Sequence, residues 1–92
     1  MTRIADLKRR LMDDPEFRAQ YEKADAEFAL IEALIHARAS ANMTQADVAR
    51  RIGTTQSAIA RLEGGGVSPS VSTLRKYAEA TGARLQISLV AP

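Results

Sequence analysis

The chain contains no cysteine, no tryptophan and only four aromatic residues among its 92. The absence of cysteine excludes disulfides, thiolate metal sites and a cysteine nucleophile. With so few aromatic side chains, the core has to be built from leucine, isoleucine, valine and alanine. A domain of this size buries only about 60% of the surface that its unfolded chain exposes. Such a thin core favours a homodimer, which buries further apolar surface.

The sequence also lacks a long apolar run and the residue sets that catalysis requires. No apolar stretch approaches the roughly 20 residues that span a bilayer, and the first 12 residues carry charges where a signal peptide is apolar. The single histidine, His36, has no second histidine or cysteine to complete a metal site, and Ser57 has no histidine base or nucleophile-elbow motif. We therefore expect a cytoplasmic protein that is not an enzyme and that binds no metal, cofactor, membrane or small-molecule substrate.

The charge of the chain is small but unevenly distributed. The net charge is +2, and residues 1–42 carry seven basic and eight acidic side chains. Residues 43–92, in contrast, carry six basic and three acidic ones. The basic excess in the second half favours a polyanionic partner there.

Helical spacing dominates the first 42 residues. A short helix is predicted up to Met12, and a longer one follows Pro15, with a break expected near Asp25. Along the longer helix, apolar residues recur at alternating intervals of four and three: Phe17, Tyr21, Ala24, Phe28, Ile31 and Ile35. We interpret the part of this stripe in residues 28–35 as core. For residues 4–21, core packing and a partner-binding surface both stay open.

Three shorter helices are predicted after residue 42. Thr44 opens the first with a capping box, Thr54 is the expected N-cap of the second, and the glycines at 64–66 stop that helix. The last helix begins after residues 69–70 and ends at Gly82.

The end of the chain changes its periodicity. Apolar and polar residues alternate over residues 84–89, which predicts a half-buried strand. Because no other strand pattern is present, this strand has to pair with a second copy or with another protein. The predicted fold is therefore all-α with about five helices and a short C-terminal strand for intermolecular pairing. Its parts are an N-terminal helical arm (1–24), a helix-turn-helix domain (25–82) and the strand with its tail (83–92).

The spacing within residues 44–63 predicts two short helices that cross after a tight turn. Ala49 lies where the helices pack closest, Gly53 permits a positive φ in the turn, and Ile59 fills the wedge between them. The outer face of the second helix then presents Thr55, Gln56, Ser57, Ala60 and Arg61. Glutamine pairs bidentately with adenine and arginine with guanine, so this face suits the base edges of DNA.

These residues carry a resemblance to a known family. Residues 38–82, and above all 43–63, closely resemble the Cro/C1-type (XRE) helix-turn-helix of phage repressors, without a gap. The resemblance implies a dimer that binds double-stranded operator DNA through Thr44, Gln45, Thr54, Thr55, Gln56, Ser57 and Arg61. It implies that Gln45 holds a phosphate and braces Gln56, that Gln56 reads a base edge, and that Arg38 and Glu63 form a structural ion pair.

The flanking segments resemble antitoxins of the HigA kind. The resemblance rests on Asp14–Phe17, the helix around Tyr21, Glu27–Leu30 and the stretch from Leu74 to Leu85. It implies a repressor that also neutralises an mRNA-cleaving toxin, with Leu11, Phe17 and Tyr21 in the toxin-binding surface. Two alternatives stay open: a phage-like repressor without a toxin, and a protein-interaction module that has lost DNA binding.

Overall fold

The computed structural model describes residues 2–92, with side chains from residue 4 onward, and contains five α-helices in that range. They are α1 (Thr2–Met12), α2 (Pro15–Ser40), α3 (Gln45–Ile52), α4 (Gln56–Glu63) and α5 (Val71–Thr81). The prediction of an all-α domain with about five helices is confirmed. Within the described residues, no helix is both long enough and apolar enough to cross a membrane.

The helix starts follow from short polar side chains that accept backbone hydrogen bonds. The Asp14 carboxylate accepts from the backbone N–H of Glu16 at 3.0 Å, at the start of α2. Thr44 and Asp47 form the predicted capping box of α3, in which each side chain accepts from the backbone N–H of the other residue. These contacts satisfy N–H groups that have no partner within their helix.

The N-cap of α4 differs from the prediction. Thr54 was the expected cap, but the hydroxyl oxygen of Thr55 accepts from the Ala58 N–H at 3.1 Å. Gly53 ends α3 in a left-handed conformation with φ of 86°, and the backbone N–H of Thr54 still donates to Ala49 at 2.9 Å. Thr54 therefore completes the end of α3, and α4 begins one residue later than predicted.

α2 is one continuous helix, so the break expected near Asp25 is absent. Its 26 residues correspond to about 39 Å at the usual rise per residue. α1 packs against α2, and α3, α4 and α5 pack into a compact unit that contacts the C-terminal part of α2. We call this unit of three helices the body. The buried apolar core consists of Leu34, Val48, Ala49, Ile59, Leu62, Tyr77 and Ala80.

Of the three stripe residues predicted as core on α2, Ile31 is half-buried near the loop after α4, but Phe28 and Ile35 face solvent. Phe28 is 59% exposed and Ile35 is 39% exposed, so that part of the prediction is wrong. The row that packs on the body is Leu30, Leu34 and Ala37. The body is built from short helices and covers only one side of α2, and this inner row is the side that it covers.

The predicted C-terminal strand does not form in the described chain. Residues 83–92 adopt neither helix nor strand, and Leu89 is almost fully exposed. A strand needs a neighbouring backbone to accept and donate its hydrogen bonds, and no described segment of residues 2–92 offers one. Alternating polarity therefore did not by itself produce a strand here.

Candidate nucleic-acid interface

α3 and α4 form a rigid pair because apolar side chains fill the angle between them. Val48 and Ala49 of α3 and Ile59 and Leu62 of α4 are all buried. Gly53 occupies the turn with a positive φ, as predicted. Space around Gly53 is open, so the backbone conformation, and not crowding, favours glycine there.

The opposite face of α4 is polar and open to solvent. Every predicted DNA-contacting residue of the turn and of α4 is exposed: Thr54, Thr55, Gln56, Ser57 and Arg61. Thr44, at the start of α3, is exposed as well, whereas Gln45 is half-buried. Buried apolar residues and exposed polar residues thus lie on opposite sides of a helix of only eight residues.

The basic residues near this face differ in whether they have partners within the protein. Arg50 forms an ion pair with Asp47, and Arg51 donates to the backbone oxygen of Ala80 at 3.1 Å. Arg61 instead lines a groove between α4 and α5, where Lys76 is also present. The sequence carries no signal for this position of Lys76, because Lys76 is separated from α4 by a loop and belongs to no motif.

Arg38 and Glu63 form the ion pair that the resemblance implied. The contact is bidentate: Nε of Arg38 lies 2.8 Å from Oε2 of Glu63, and Nη2 lies 2.9 Å from Oε1. Arg38 also donates through Nη1 to the backbone oxygen of Met43 at 3.1 Å. Because Glu63 is only 6% exposed, this geometry compensates a buried charge.

Two further side chains complete the cluster around Glu63. The hydroxyl of Tyr77 lies 2.7 Å from Oε2 of Glu63 and 2.8 Å from the backbone oxygen of Leu34, and its one proton is shared between them. Gln45 donates from Nε2 to Oε1 of Glu63 at 3.2 Å. The cluster therefore joins α2, α3, α4 and α5 at one point, close to the end of α4.

The charges in this cluster are stabilised by their partners. Burial would raise the pKa of Glu63, but the hydrogen bonds from Arg38, Tyr77 and Gln45 outweigh it and hold the pKa below its usual value. The hydrogen bond to Glu63 raises the pKa of Arg38. Burial and the neighbouring Glu63 carboxylate raise the pKa of Tyr77. Glu63 is therefore ionised, and Arg38 and Tyr77 protonated, at neutral pH.

The structure places Gln45 differently from what the resemblance implied. Its side-chain amide donates to Glu63 and not to Gln56, which lies at the exposed start of α4. A carboxylate is a stronger acceptor than a neutral amide oxygen. In the free protein, Gln45 is thus part of the structural cluster.

The predicted partner-binding residues lie on the hairpin formed by α1 and α2. The rings of Phe17 and Tyr21 stack with centroids 6.2 Å apart, and Nζ of Lys8 lies 4.9 Å from the centre of the Tyr21 ring. Leu11 on α1 and Tyr21 on α2 are both partly exposed, while Phe17 is half-buried. The hairpin packs on itself and leaves apolar surface uncovered.

The fold and this polar helix face define a helix-turn-helix protein. The helix-turn-helix family model matches residues 34–87, and the chain belongs to this family. Among curated proteins, it is similar to Antitoxin HigA1 of Mycobacterium tuberculosis, in strains CDC 1551 / Oshkosh and ATCC 25618 / H37Rv, with 37% identity over 79 residues in each case. This confirms the resemblance to HigA antitoxins.

The alignment covers a larger share of this chain than of the relatives. The alignment covers 86% of this chain but 53% of each relative, so the chain spans about half the length of the curated relatives it matches. An alignment of 79 residues is longer than the helix-turn-helix region of residues 34–87. The similarity therefore extends beyond that region. No solved structure matches the chain.

Proposed function

We propose that the chain is a sequence-specific repressor that binds operator DNA as a homodimer, with α4 as the recognition helix in the major groove. The observation that carries this proposal is the division of α4 into two faces. Ile59 and Leu62 fix the helix to the body, while Gln56 and Arg61 are exposed. A recognition helix requires this combination of a fixed position and free polar side chains.

The proposed contacts follow from side-chain chemistry. Gln56 and Arg61 read base edges, with Ser57 beside them, and Thr55 contacts the backbone of the DNA. Lys76 lines the same groove as Arg61 and supplies a phosphate contact. Arg50 and Arg51 already have protein partners, so few cations contribute, and the dependence of affinity on salt should be shallow.

The test is a binding titration with the DNA upstream of the chain's own gene and with a scrambled duplex of the same length. The wild-type protein should prefer the upstream duplex by about 10³-fold or more. Gln56→Ala should weaken binding to the upstream duplex by about 1–3 kcal/mol, the contribution of one bidentate base contact. Gln20→Ala, the same change at an exposed position on α2 outside the body, is the matched control and should leave the affinity unchanged.

Two outcomes contradict parts of this proposal. If Gln56→Ala binds the upstream duplex as tightly as the wild type, α4 is not the recognition helix. If the wild type binds both duplexes equally and weakly, the chain is a protein-interaction module that has lost DNA binding.

We further propose that the chain is the antitoxin of a type II toxin–antitoxin pair, and that its partner is an mRNA-cleaving toxin. Two observations support this role over that of a phage-like repressor without a toxin. The matched relatives are named antitoxins, and the similarity to them extends beyond the helix-turn-helix region. In addition, α1 and the first half of α2 lie outside the body and expose apolar surface, including Leu11 and Tyr21.

A further inference from the structure

The outer face of α2 has the spacing of a coiled-coil seam. Its apolar residues recur at alternating intervals of four and three from Phe17 to Ile35, which is the pattern of helices that pack along their length against another helix. Near the start of α2, Phe17 and Tyr21 stack on each other, and Lys8 of α1 lies against Tyr21. Further along, Phe28, Ile31 and Ile35 line a shallow groove on α2. We call these three residues the open seam.

Phe28 and Ile35 of the open seam are not needed to hold α2 on the body, whereas Ile31 is half-buried and also lies close to Gly65 in the loop after α4. The contact of α2 with the core is made by the inner row of Leu30, Leu34 and Ala37. Phe28 is one of only four aromatic residues in the chain, and it is 59% exposed. A surface helix of a globular protein usually has one apolar stripe. A second stripe that leaves an aromatic ring in water marks a contact with another molecule.

The charges beside the open seam show which kind of molecule it fits. In a coiled coil, the positions that flank the seam form ion pairs across it and decide which partner is accepted. Three of those positions hold Asp25, Glu27 and Glu32, all of them acidic and exposed, and the fourth holds Leu34, which is buried against the body. Residues 13–32 as a whole carry seven acidic and two basic side chains.

A second copy of the chain does not fit this pattern in either orientation. In a parallel pair, Glu27 of one copy would lie opposite Glu32 of the other. In an antiparallel pair that packs Phe28 against Ile31 of the other copy, Asp25 of one copy would approach Glu32 of the other. Like charges across a seam disfavour pairing. A helix flanked by lysine and arginine would instead form ion pairs on both sides.

We propose that the open seam is the docking site for a helix of the toxin, and that this helix has an apolar ridge flanked by basic residues. The proposal rests on the proposed antitoxin function. It is supported by charge complementarity, because a protein that binds and cleaves RNA needs a basic surface to attract phosphates. It assigns the central contact to Phe28 and Ile35, further along α2 than the residues implied by the sequence resemblance.

The test measures the affinity of the full chain for the protein encoded beside its gene, by isothermal titration calorimetry. Phe28→Ala/Ile35→Ala should weaken the affinity at least tenfold. Glu27→Lys/Glu32→Lys should weaken it by a similar factor and make it less sensitive to added salt. The matched controls are Val71→Ala, which truncates an apolar residue of similar exposure at the start of α5, and Glu79→Lys, which reverses an exposed charge on α5. Both controls should stay within twofold of the wild type.

Thermal melts followed by circular dichroism check that each variant is folded, and sedimentation velocity measures self-association of the free chain. If the wild type does not bind the neighbouring protein, both the antitoxin function and the docking site are wrong. If the wild type binds but Phe28→Ala/Ile35→Ala binds equally well, the antitoxin function stands and the docking site is wrong. If that variant converts the free chain from dimer to monomer, the seam joins two copies, which also overturns the docking proposal.

Discussion

The two ends of α2 belong to the same helix but have different surroundings. From Leu30 onward, the inner row packs into the core, and Arg38 donates two hydrogen bonds to Glu63 and one to the backbone oxygen of Met43. Before Leu30, the residues of α2 are almost all exposed, and α1 is the helix that packs beside them. A continuous helix therefore serves as core at one end and as open surface at the other.

The polar side chains of the body and of the arm differ in how well they are paired. In the body, no buried side-chain nitrogen or oxygen of the described residues lacks a hydrogen-bond partner. In the arm, Asp6 and Arg9 approach to only 4.0 Å and are both exposed, a contact that contributes little in water. The stability of the fold is concentrated in the body, and the arm keeps its side chains free for contacts with other molecules.

The largest difference in the free energy of unfolding is expected between Glu63→Gln in the body and Glu22→Gln in the arm. The first variant removes the charge that compensates Arg38 in a largely buried site, and should lower the free energy of unfolding by about 3 kcal/mol. The second changes an exposed residue and should stay within about 0.5 kcal/mol of the wild type. Urea denaturation of the three proteins measures both values.

The same pair of variants gives a pH test of the Glu63 cluster. The pKa of Glu63 is lower in the folded protein than its usual value, which is about 4.3 in an unfolded chain. Its contribution is therefore fully present above that pH and is lost as the pH falls through the folded pKa. The wild type and Glu22→Gln should lose stability below about pH 4.3 more steeply than Glu63→Gln. Equal slopes would show that the Arg38 contact does not stabilise the ionised form.

The next comparison lies within α2 itself. Leu34→Ala opens a cavity in the core and should cost about 2–4 kcal/mol. Phe28→Ala removes a larger side chain, but one already in contact with water, and should cost less than about 1 kcal/mol. Thermal or urea unfolding distinguishes these values. Equal losses would mean that Phe28 is buried in the free protein, for example by self-association, and the two ends of α2 would then no longer differ.

The sequence predicted the features that depend on neighbouring residues. Capping residues, glycine turns and helical spacing are local, and they located α3, α4 and α5 and the division of α4 into two faces. The apolar spacing also revealed the stripe on α2. It did not reveal that Phe28 and Ile35 of this stripe face solvent, because periodicity shows that a helix has an apolar face but not whether another element covers it.

The features of the candidate interface that the sequence did not predict have a similar cause. Gln45 could donate to Gln56 or to Glu63, and only the packing of α2 against α4 places the Glu63 carboxylate within its reach. The position of Lys76 in the same groove as Arg61 depends on how α5 lies beside α4, which no local pattern specifies. The predicted C-terminal strand required a partner that the described chain does not contain.

The smallest expected effect tests the corrected start of the recognition helix. Thr54 and Thr55 are adjacent, exposed and chemically identical, but only Thr55 accepts from the Ala58 N–H. Thr55→Ala should therefore lower the free energy of unfolding by about 1 kcal/mol, whereas Thr54→Ala should change it by less than about 0.5 kcal/mol. Chemical denaturation without DNA separates this effect from any contact with a duplex. The reverse order would place the N-cap at Thr54 and start α4 one residue earlier, whereas the exposed face of α4 would stay as assigned, because the buried Ile59 and Leu62 fix the rotation of the helix about its axis.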